Sequence, residues 1–169
     1  MKKCVILMMA VMVSMAVAAA ESVDVGYWFD CPAEIKTQDV EGVRFGLPVS
    51  SGMGAVKGAE VALLLADTAE ICGVQYSLLG MNHARYLDGL QLGFLNLVSR
   101  NMKGLQLGFF NHCTRGCWQI GLVNVAHEDV PWQIGLVNYN PAGWFPVTVL
   151  FNFSKGCREK GCCRAACAE

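Results

Sequence analysis

One eight-residue motif occurs four times in the chain: GLQLGFLN at residues 89–96, GLQLGFFN at 104–111, CWQIGLVN at 117–124 and PWQIGLVN at 131–138. Each copy has apolar residues at its second, fourth and sixth positions, glutamine at the third, glycine at the fifth and asparagine at the eighth. Alternation with a period of two is typical of a β-strand. Because the motif recurs at near-constant spacing, the chain is predicted to form a stack of repeated β-structure.

Three earlier segments follow the same pattern less closely. Arg44 and Glu60 occupy the glutamine position in the first two of these segments, and Gln75 occupies it in the third. The sequence therefore predicts seven units, which begin at residues 42, 58, 73, 89, 104, 117 and 131.

A second apolar column lies two residues before the first residue of each of the first five units. It consists of Val40, Val56, Ile71, Leu87 and Met102. This position and the one just after the leading glycine are three residues apart, so they cannot share a face of one regular strand. We therefore expect the leading glycine to mark a corner or a bulge.

The predicted fold class is all-β: a repeat β-solenoid with narrow parallel coils of about 15 residues. In such a stack each position lies on its own equivalent, and columns of identical amides hydrogen-bond along the ladder. An antiparallel β-meander or a small outer-membrane β-barrel is the alternative. The predicted ladder residues are Gln75, Gln91, Gln106, Gln119 and Gln133, with Asn96, Asn111, Asn124 and Asn138.

The alternation also assigns faces. We expect Leu90, Leu92 and Phe94, with their equivalents in the other units, to form the core face. Gln91 and Gly93 then lie on the opposite face. An exposed amide column offers repeated donors and acceptors to a sugar or a peptide, but a structural ladder is the simpler interpretation.

The first residues predict export. Lys2 and Lys3 precede an apolar run over residues 5–17, and three alanines follow at 18–20. This order is typical of a secretory signal peptide cleaved before Glu21, with an uncleaved membrane anchor as the alternative. The predicted domains are a signal peptide (1–20), one β-repeat domain (21–153) and a cysteine-rich tail (154–169). Within the domain the repeats cover about 40–138, and terminal strands cover 22–29 and 144–153.

Eight cysteines remain after the predicted cleavage: Cys31, Cys72, Cys113, Cys117, Cys157, Cys162, Cys163 and Cys167. An even number in an exported chain favours disulfides. Four thiolates in the tail are also enough for a tetrahedral zinc site, but the tail lacks paired C-x-x-C motifs. We therefore predict disulfides, with no metal and no cofactor.

Little in the chain indicates chemistry. The net charge of −1 gives no electrostatic reason to expect nucleic acid as a partner. The motifs G-x-S-x-G and H-E-x-x-H and a phosphate-binding glycine loop are absent from the sequence, so we predict that the protein is not an enzyme. His83, His112 and His127 fall between repeat units, where we interpret them as solvated turn residues; a metal ligand or a general base is the alternative.

The repeat motif and the closing segment GWFPVTVLFNF at 143–153 resemble a family of exported bacterial surface-repeat proteins built from GLQxGxxN units. The resemblance covers about residues 40–153 and names no catalytic residue. It implies a non-catalytic binding or structural module of the cell surface or periplasm, with an envelope component or surface ligand as partner. The alternatives are an outer-membrane β-barrel protein and an exported metal-binding protein that uses the Cys and His turns and the tail.

Export makes a direct prediction. The intact mass of the protein isolated from its own cells should correspond to a chain that begins at Glu21, because the signal peptidase removes the first 20 residues. A native protein that still begins at Met1 would show that the apolar segment is retained.

Overall fold

The chain forms a stack of β-strands. In the computed structural model, residues 22–26, 39–116 and 118–154 are described. They contain eight strands, which lie side by side in chain order in one sheet, and no helix. The strands are β1 (Ser22–Gly26), β2 (Val40–Gly46), β3 (Val49–Ala62), β4 (Leu65–Ser77), β5 (Met81–Arg115), β6 (Trp118–Ala126), β7 (Trp132–Tyr139) and β8 (Val147–Phe153).

Strands β1 to β7 pair in parallel, and the repeat units lie in register. Gly42 pairs with Gly58, Gly58 with Gly73, and Gly73 with Gly89. Gln106 pairs with Gln119, which in turn pairs with Gln133. The predicted parallel solenoid is therefore confirmed, and the antiparallel meander is wrong.

The leading glycine of a unit forms a corner, as predicted. Glycines 42, 58, 73, 89 and 104 all have positive φ, between 128° and 148°. A Cβ on Gly73 would lie 1.9 Å from the carbonyl oxygen of Gly58 in the coil before it. Any other residue would therefore clash with the neighbouring coil as well as adopt a strained backbone.

The two terminal strands differ from the predicted ones in detail. β1 covers Ser22–Gly26, while the remainder of the strand predicted over 22–29 lies outside the described residues. The final strand begins at Val147, later than the predicted residue 144, and it pairs antiparallel with β7. Its main chain covers the backbone edge of the last coil. The aromatic side chains of Trp144, Phe145 and Phe151 do not contribute to this cover, since they remain exposed.

The predicted core face is wrong. Gln91 and Gln106 are fully buried, whereas Phe94, Phe109 and their equivalents point outward. The second apolar column does lie inside, and it continues the core through residues of the return segments. The resulting core cluster consists of Val40, Val56, Ile71, Ala84, Leu87, Val98, Met102, Cys113, Ala126 and Val130.

Two ladders of amide side chains explain why the glutamines are inside. Each glutamine from Gln91 onward donates from Nε2 to Oε1 of the glutamine one coil earlier, at 2.7–2.9 Å. Asn82, Asn96, Asn111 and Asn124 each donate from Nδ2 to Oδ1 of the ladder asparagine one coil later, at 2.8–2.9 Å. The two ladders therefore run in opposite directions, so their amide dipoles oppose each other.

The amide side chains also donate hydrogen bonds to backbone carbonyl oxygens. Gln91 and Gln106 use their Nε2 atoms to reach the carbonyl oxygens of Leu97 and His112, at 3.4 and 3.2 Å. Asn96 reaches the carbonyl oxygen of Leu107 at 2.8 Å. Hydrogen bonds satisfy the amide donors of these residues, which lowers the cost of placing polar groups in the narrow interior. Among the described residues, Oδ1 of Asn82 and Oε1 of Gln133, at the open ends of the two ladders, have no hydrogen-bond partner.

The fifth and eighth positions of the motif depend on each other. A Cβ on Gly108 would lie 2.4 Å from Nδ2 of Asn96, which belongs to the preceding coil. The asparagine of one coil therefore occupies the space that a side chain would need at the fifth position of the next.

We expect Gln106→Lys to lower the free energy of unfolding by about 1–3 kcal/mol, because Gln91 and Gln119 each lose an amide partner in the interior. Lys103→Gln removes only an exposed ion pair with Asp88, so it should change stability by less than about 1 kcal/mol. Chemical denaturation of both variants makes the comparison. Equal stabilities would contradict the ladder.

Candidate functional site

An apolar face runs along the outside of the coils. We define the outer apolar face as the side chains at the second, fourth and sixth positions of the six units that begin at residues 58, 73, 89, 104, 117 and 131, together with β8. A groove of about 770 Å³ lies along it. The groove is lined by Tyr76, Leu78, Leu92, Phe94, Leu107, Phe109, Ile120, Leu122, Ile134, Leu136 and Leu150, with Ser77 and the glycines 93, 108, 121 and 135.

Aromatic rings stack across neighbouring coils on this face. The ring centroids of Phe94 and Phe109 are 4.2 Å apart, with the planes nearly parallel. Trp118 stacks on Trp132 at 5.8 Å, and Phe153 of the final strand continues the row at 5.8 Å. Columns of aromatic rings and of aliphatic side chains, with one member on each strand, therefore cover the outside of the coils.

The outer apolar face carries no charged residue, since neither the second, fourth and sixth positions of its six units nor β8 contains one. Its one ionisable group is the hydroxyl of Tyr76, and burial raises the pKa of that group above its ordinary value of 10.0. The face is therefore uncharged at neutral pH. Opposite charges pair on the flanks, as in Lys57 with Glu41 and Lys103 with Asp88.

The predicted ladder residues are brought together, but in the interior. Gln75, Gln91, Gln106, Gln119, Gln133, Asn96, Asn111, Asn124 and Asn138 all have no exposed area. The hypothesis that the glutamine column binds a sugar or a peptide is therefore wrong, because no ligand reaches a buried amide. The sequence did not indicate the outer apolar face as a surface.

The glutamine ladder ends on a buried carboxylate. Gln75 donates from Nε2 to Oε2 of Glu60 at 2.8 Å, and Thr68 donates its hydroxyl to Oε1 at 2.7 Å. Arg44 pairs in register with Glu60, and Asp24 with Arg44. Arg44 and Glu60, which depart from the motif, therefore supply the charges next to Gln75. The amide donor of Gln75 has no glutamine before it, and the carboxylate of Glu60 is its acceptor.

Burial raises the pKa of Glu60 above its ordinary value of 4.5, although hydrogen bonds from Ser50, Thr68 and Gln75 and the charge of Arg44 act in the opposite direction. The desolvation of the carboxylate is thus only partly offset by its partners.

The prediction of solvated turn histidines is wrong for two of the three, because His83 and His112 lie in β5 and are half-buried, whereas His127 is exposed. His83 contacts Asp67 and Ser99, at 2.7 and 2.6 Å. His112 and His127 form an edge-to-face ring pair with centroids 5.0 Å apart. Burial and the neighbouring His127 lower the pKa of His112 below its ordinary value of 6.5.

Two of the eight predicted disulfide cysteines lie in the described part of the chain. Cys72 is in β4, and Cys113 is buried in the core cluster. The others, Cys31, Cys117, Cys157, Cys162, Cys163 and Cys167, lie outside it. Among the described residues, no group of three or more His, Cys, Asp or Glu side chains is arranged to hold a metal ion.

No protein-family model, curated protein or solved structure matches the chain. The resemblance to exported surface-repeat proteins therefore stays a prediction. Across the described ranges there is no helix long and apolar enough to cross a membrane.

The raised pKa of Glu60 predicts a pH dependence of stability. Between pH 4.5 and the higher pKa of the folded state, the unfolded chain ionises first, so the folded state loses stability as the pH rises. Glu60→Gln removes this loss. The stability of the variant relative to the natural protein should therefore increase from pH 4 to pH 7, measured by denaturation at each pH.

Glu41→Gln is the control for that experiment, because it removes one negative charge from an exposed flank. A relative stability of Glu60→Gln that stays constant or decreases with pH would contradict the assignment.

Proposed function

We propose that the protein is an exported, non-catalytic structural module of the cell surface or periplasm, and that it works by pairing its outer apolar face with the same face of a second copy. The observation that carries the proposal is the uncharged apolar surface along the coils, in a chain whose glutamine and asparagine side chains are inside. Contiguous exposed apolar surface of this size marks an interaction site.

The size of the outer apolar face fits a dimer. Six units and β8 make seven rows at a spacing of about 4.8 Å, and each row spans about 17 Å at 3.3 Å per residue. One copy thus offers roughly 600 Å², and a pair buries about 1,200 Å², which is the lower limit for stable protein interfaces. Burial of apolar surface is the favourable contribution that has to offset the lost translational and rotational freedom of the two chains, which costs about 4–15 kcal/mol.

The chemistry of the face favours a second copy over a membrane surface. Two β-sheets pack face to face at about 10 Å when their facing side chains are apolar. A lipid-binding face is typically bordered by Lys and Arg. The flanks here instead alternate in sign, as in the pairs Lys57–Glu41 and Lys103–Asp88. In a dimer, positive side chains on the flank of one copy can face negative side chains on the flank of the other.

Export is consistent with this role. An assembly module needs a repeated surface, and the six units of the outer apolar face provide an apolar row in each coil. The predicted signal peptide brings such a module to the envelope, where the resemblance to surface-repeat proteins also points.

A charge on the outer apolar face should prevent pairing. Leu122 is 44% exposed and lies in the groove, so Leu122→Lys would place an ammonium group between two apolar sheets. We expect the natural protein to have twice the mass of one chain in light scattering after gel filtration, and the variant to have the mass of one chain with an unchanged circular dichroism spectrum.

Met53→Lys is the matched control. Met53 is also an exposed apolar residue, 59% exposed, but it lies outside the repeat face, so this variant should remain a dimer. A natural protein that is monomeric would overturn the proposal. Monomers that sediment with phosphatidylcholine vesicles would identify a membrane as the occupant instead.

A further inference from the structure

Three side chains on successive coils form a continuous hydrogen-bonded row. Oδ1 of Asp67 is 2.7 Å from Nδ1 of His83, and Nε2 of His83 is 2.6 Å from Oγ of Ser99. Asp67 and His83 pair in register between β4 and β5, and Ser99 lies one coil further along β5. The order carboxylate, imidazole, hydroxyl and the distances are those of a nucleophile activated by a base that a third group orients.

The partners fix the state of the imidazole. A carboxylate only accepts, so Nδ1 of His83 carries the hydrogen that it donates to Asp67. In the neutral imidazole Nε2 then has a free lone pair, which accepts the hydroxyl proton of Ser99. This tautomer is the one that a serine nucleophile requires of its base.

We propose that Ser99 is a nucleophilic serine that takes up an acyl group from small activated esters or thioesters, with His83 as its general base and Asp67 as the residue that positions His83. Nothing in this proposal depends on the dimer, because none of the three residues lines the groove of the outer apolar face.

The fold holds the row without burying it. Each of the three residues is on a strand, and the hydroxyl of Thr114 in the next coil donates to the carbonyl oxygen of Ser99 at 2.8 Å. The side chains of His83 and Asp67 are 31% and 47% exposed, and Ser99 is exposed. A reagent in solution therefore reaches the hydroxyl directly.

The transfer is balanced within these groups. Oγ of Ser99 attacks the carbonyl carbon of the acyl donor, and its proton passes to Nε2 of His83. The bond from that carbon to the leaving oxygen or sulfur breaks, and the leaving group departs with the electron pair. The imidazolium then returns its proton to the leaving group or to water, and one acyl group remains on Ser99 as an ester.

The open surface limits the reaction to activated donors. Fast turnover needs preorganised donors around the developing oxyanion and a site that excludes water. An exposed row on the outside of a coil has no such enclosure, so we assign Ser99 as a site of acyl modification, with one group per chain.

The test uses p-nitrophenyl acetate as the acyl donor. We expect the intact mass of the natural protein to increase by one acetyl group, which peptide mapping places on Ser99. Ser99→Ala should lose this label. His83→Gln keeps a hydrogen-bonding side chain but cannot take the proton, so labelling of Ser99 should become at least ten times slower.

The positioning role of Asp67 has its own measurement. In Asp67→Asn the ¹⁵N shifts of the His83 ring should show that the imidazole no longer holds its hydrogen on Nδ1, and labelling of Ser99 should slow by a similar factor. A purely structural Asp67 would leave the tautomer of His83 unchanged.

His127→Gln is the control, since it removes an exposed imidazole that does not contact Ser99, and labelling of Ser99 should continue at the natural rate. Acetylation confined to lysine or histidine side chains, or equal labelling of Ser99 in the natural protein and in folded His83→Gln, would overturn the proposal.

Discussion

The structure depends on a pair of opposed amide ladders in an interior too narrow for two layers of large side chains. Each glutamine and asparagine of the ladders is hydrogen-bonded to a side chain of a neighbouring coil and to a backbone carbonyl, as in Gln106 and Asn96. A buried amide is tolerated only when it is satisfied in this way. The leading glycine, the fifth-position glycine and the parallel register all follow from the same need to keep one coil directly on the next.

The same constraint explains the outer surface. Once the interior side of the repeat strand holds Gln at the third position and Gly at the fifth, the alternation places every residue at the second, fourth and sixth positions outside. The apolar columns are therefore exposed to a partner, because the amide side chains occupy the interior. Apart from Arg44 and Glu60, the charged side chains of residues 42–138 lie in the segments between the units, with the ion pair Lys103–Asp88 and the Asp67–His83–Ser99 row.

The register of all seven units and the corner at Gly89 could be predicted from the sequence, because both depend on spacing and on the special backbone of glycine. The choice between the two faces could not be made from hydropathy. Period-two alternation separates the faces, but a satisfied amide column is as suitable for the interior as a leucine column. The recurrent pairing of the fifth-position glycine with asparagine was the signal for the true interior, as Gly108 and Asn96 demonstrate. The spacing of Asp67, His83 and Ser99, 16 residues each, was likewise visible in the sequence but was not recognised.

The charged start of the glutamine ladder also has an evolutionary consequence. Copying a middle coil, such as the one that begins at Gly89, adds one donor and one acceptor to each ladder and leaves every existing bond in place. Copying the coil of Glu60 would bury a second carboxylate next to the first, which is strongly unfavourable. Solenoids of this design are thus free to lengthen by duplication of internal coils, while their first coils stay unique. Such duplication produces neighbouring units that are nearly identical, as are GLQLGFLN with GLQLGFFN and CWQIGLVN with PWQIGLVN.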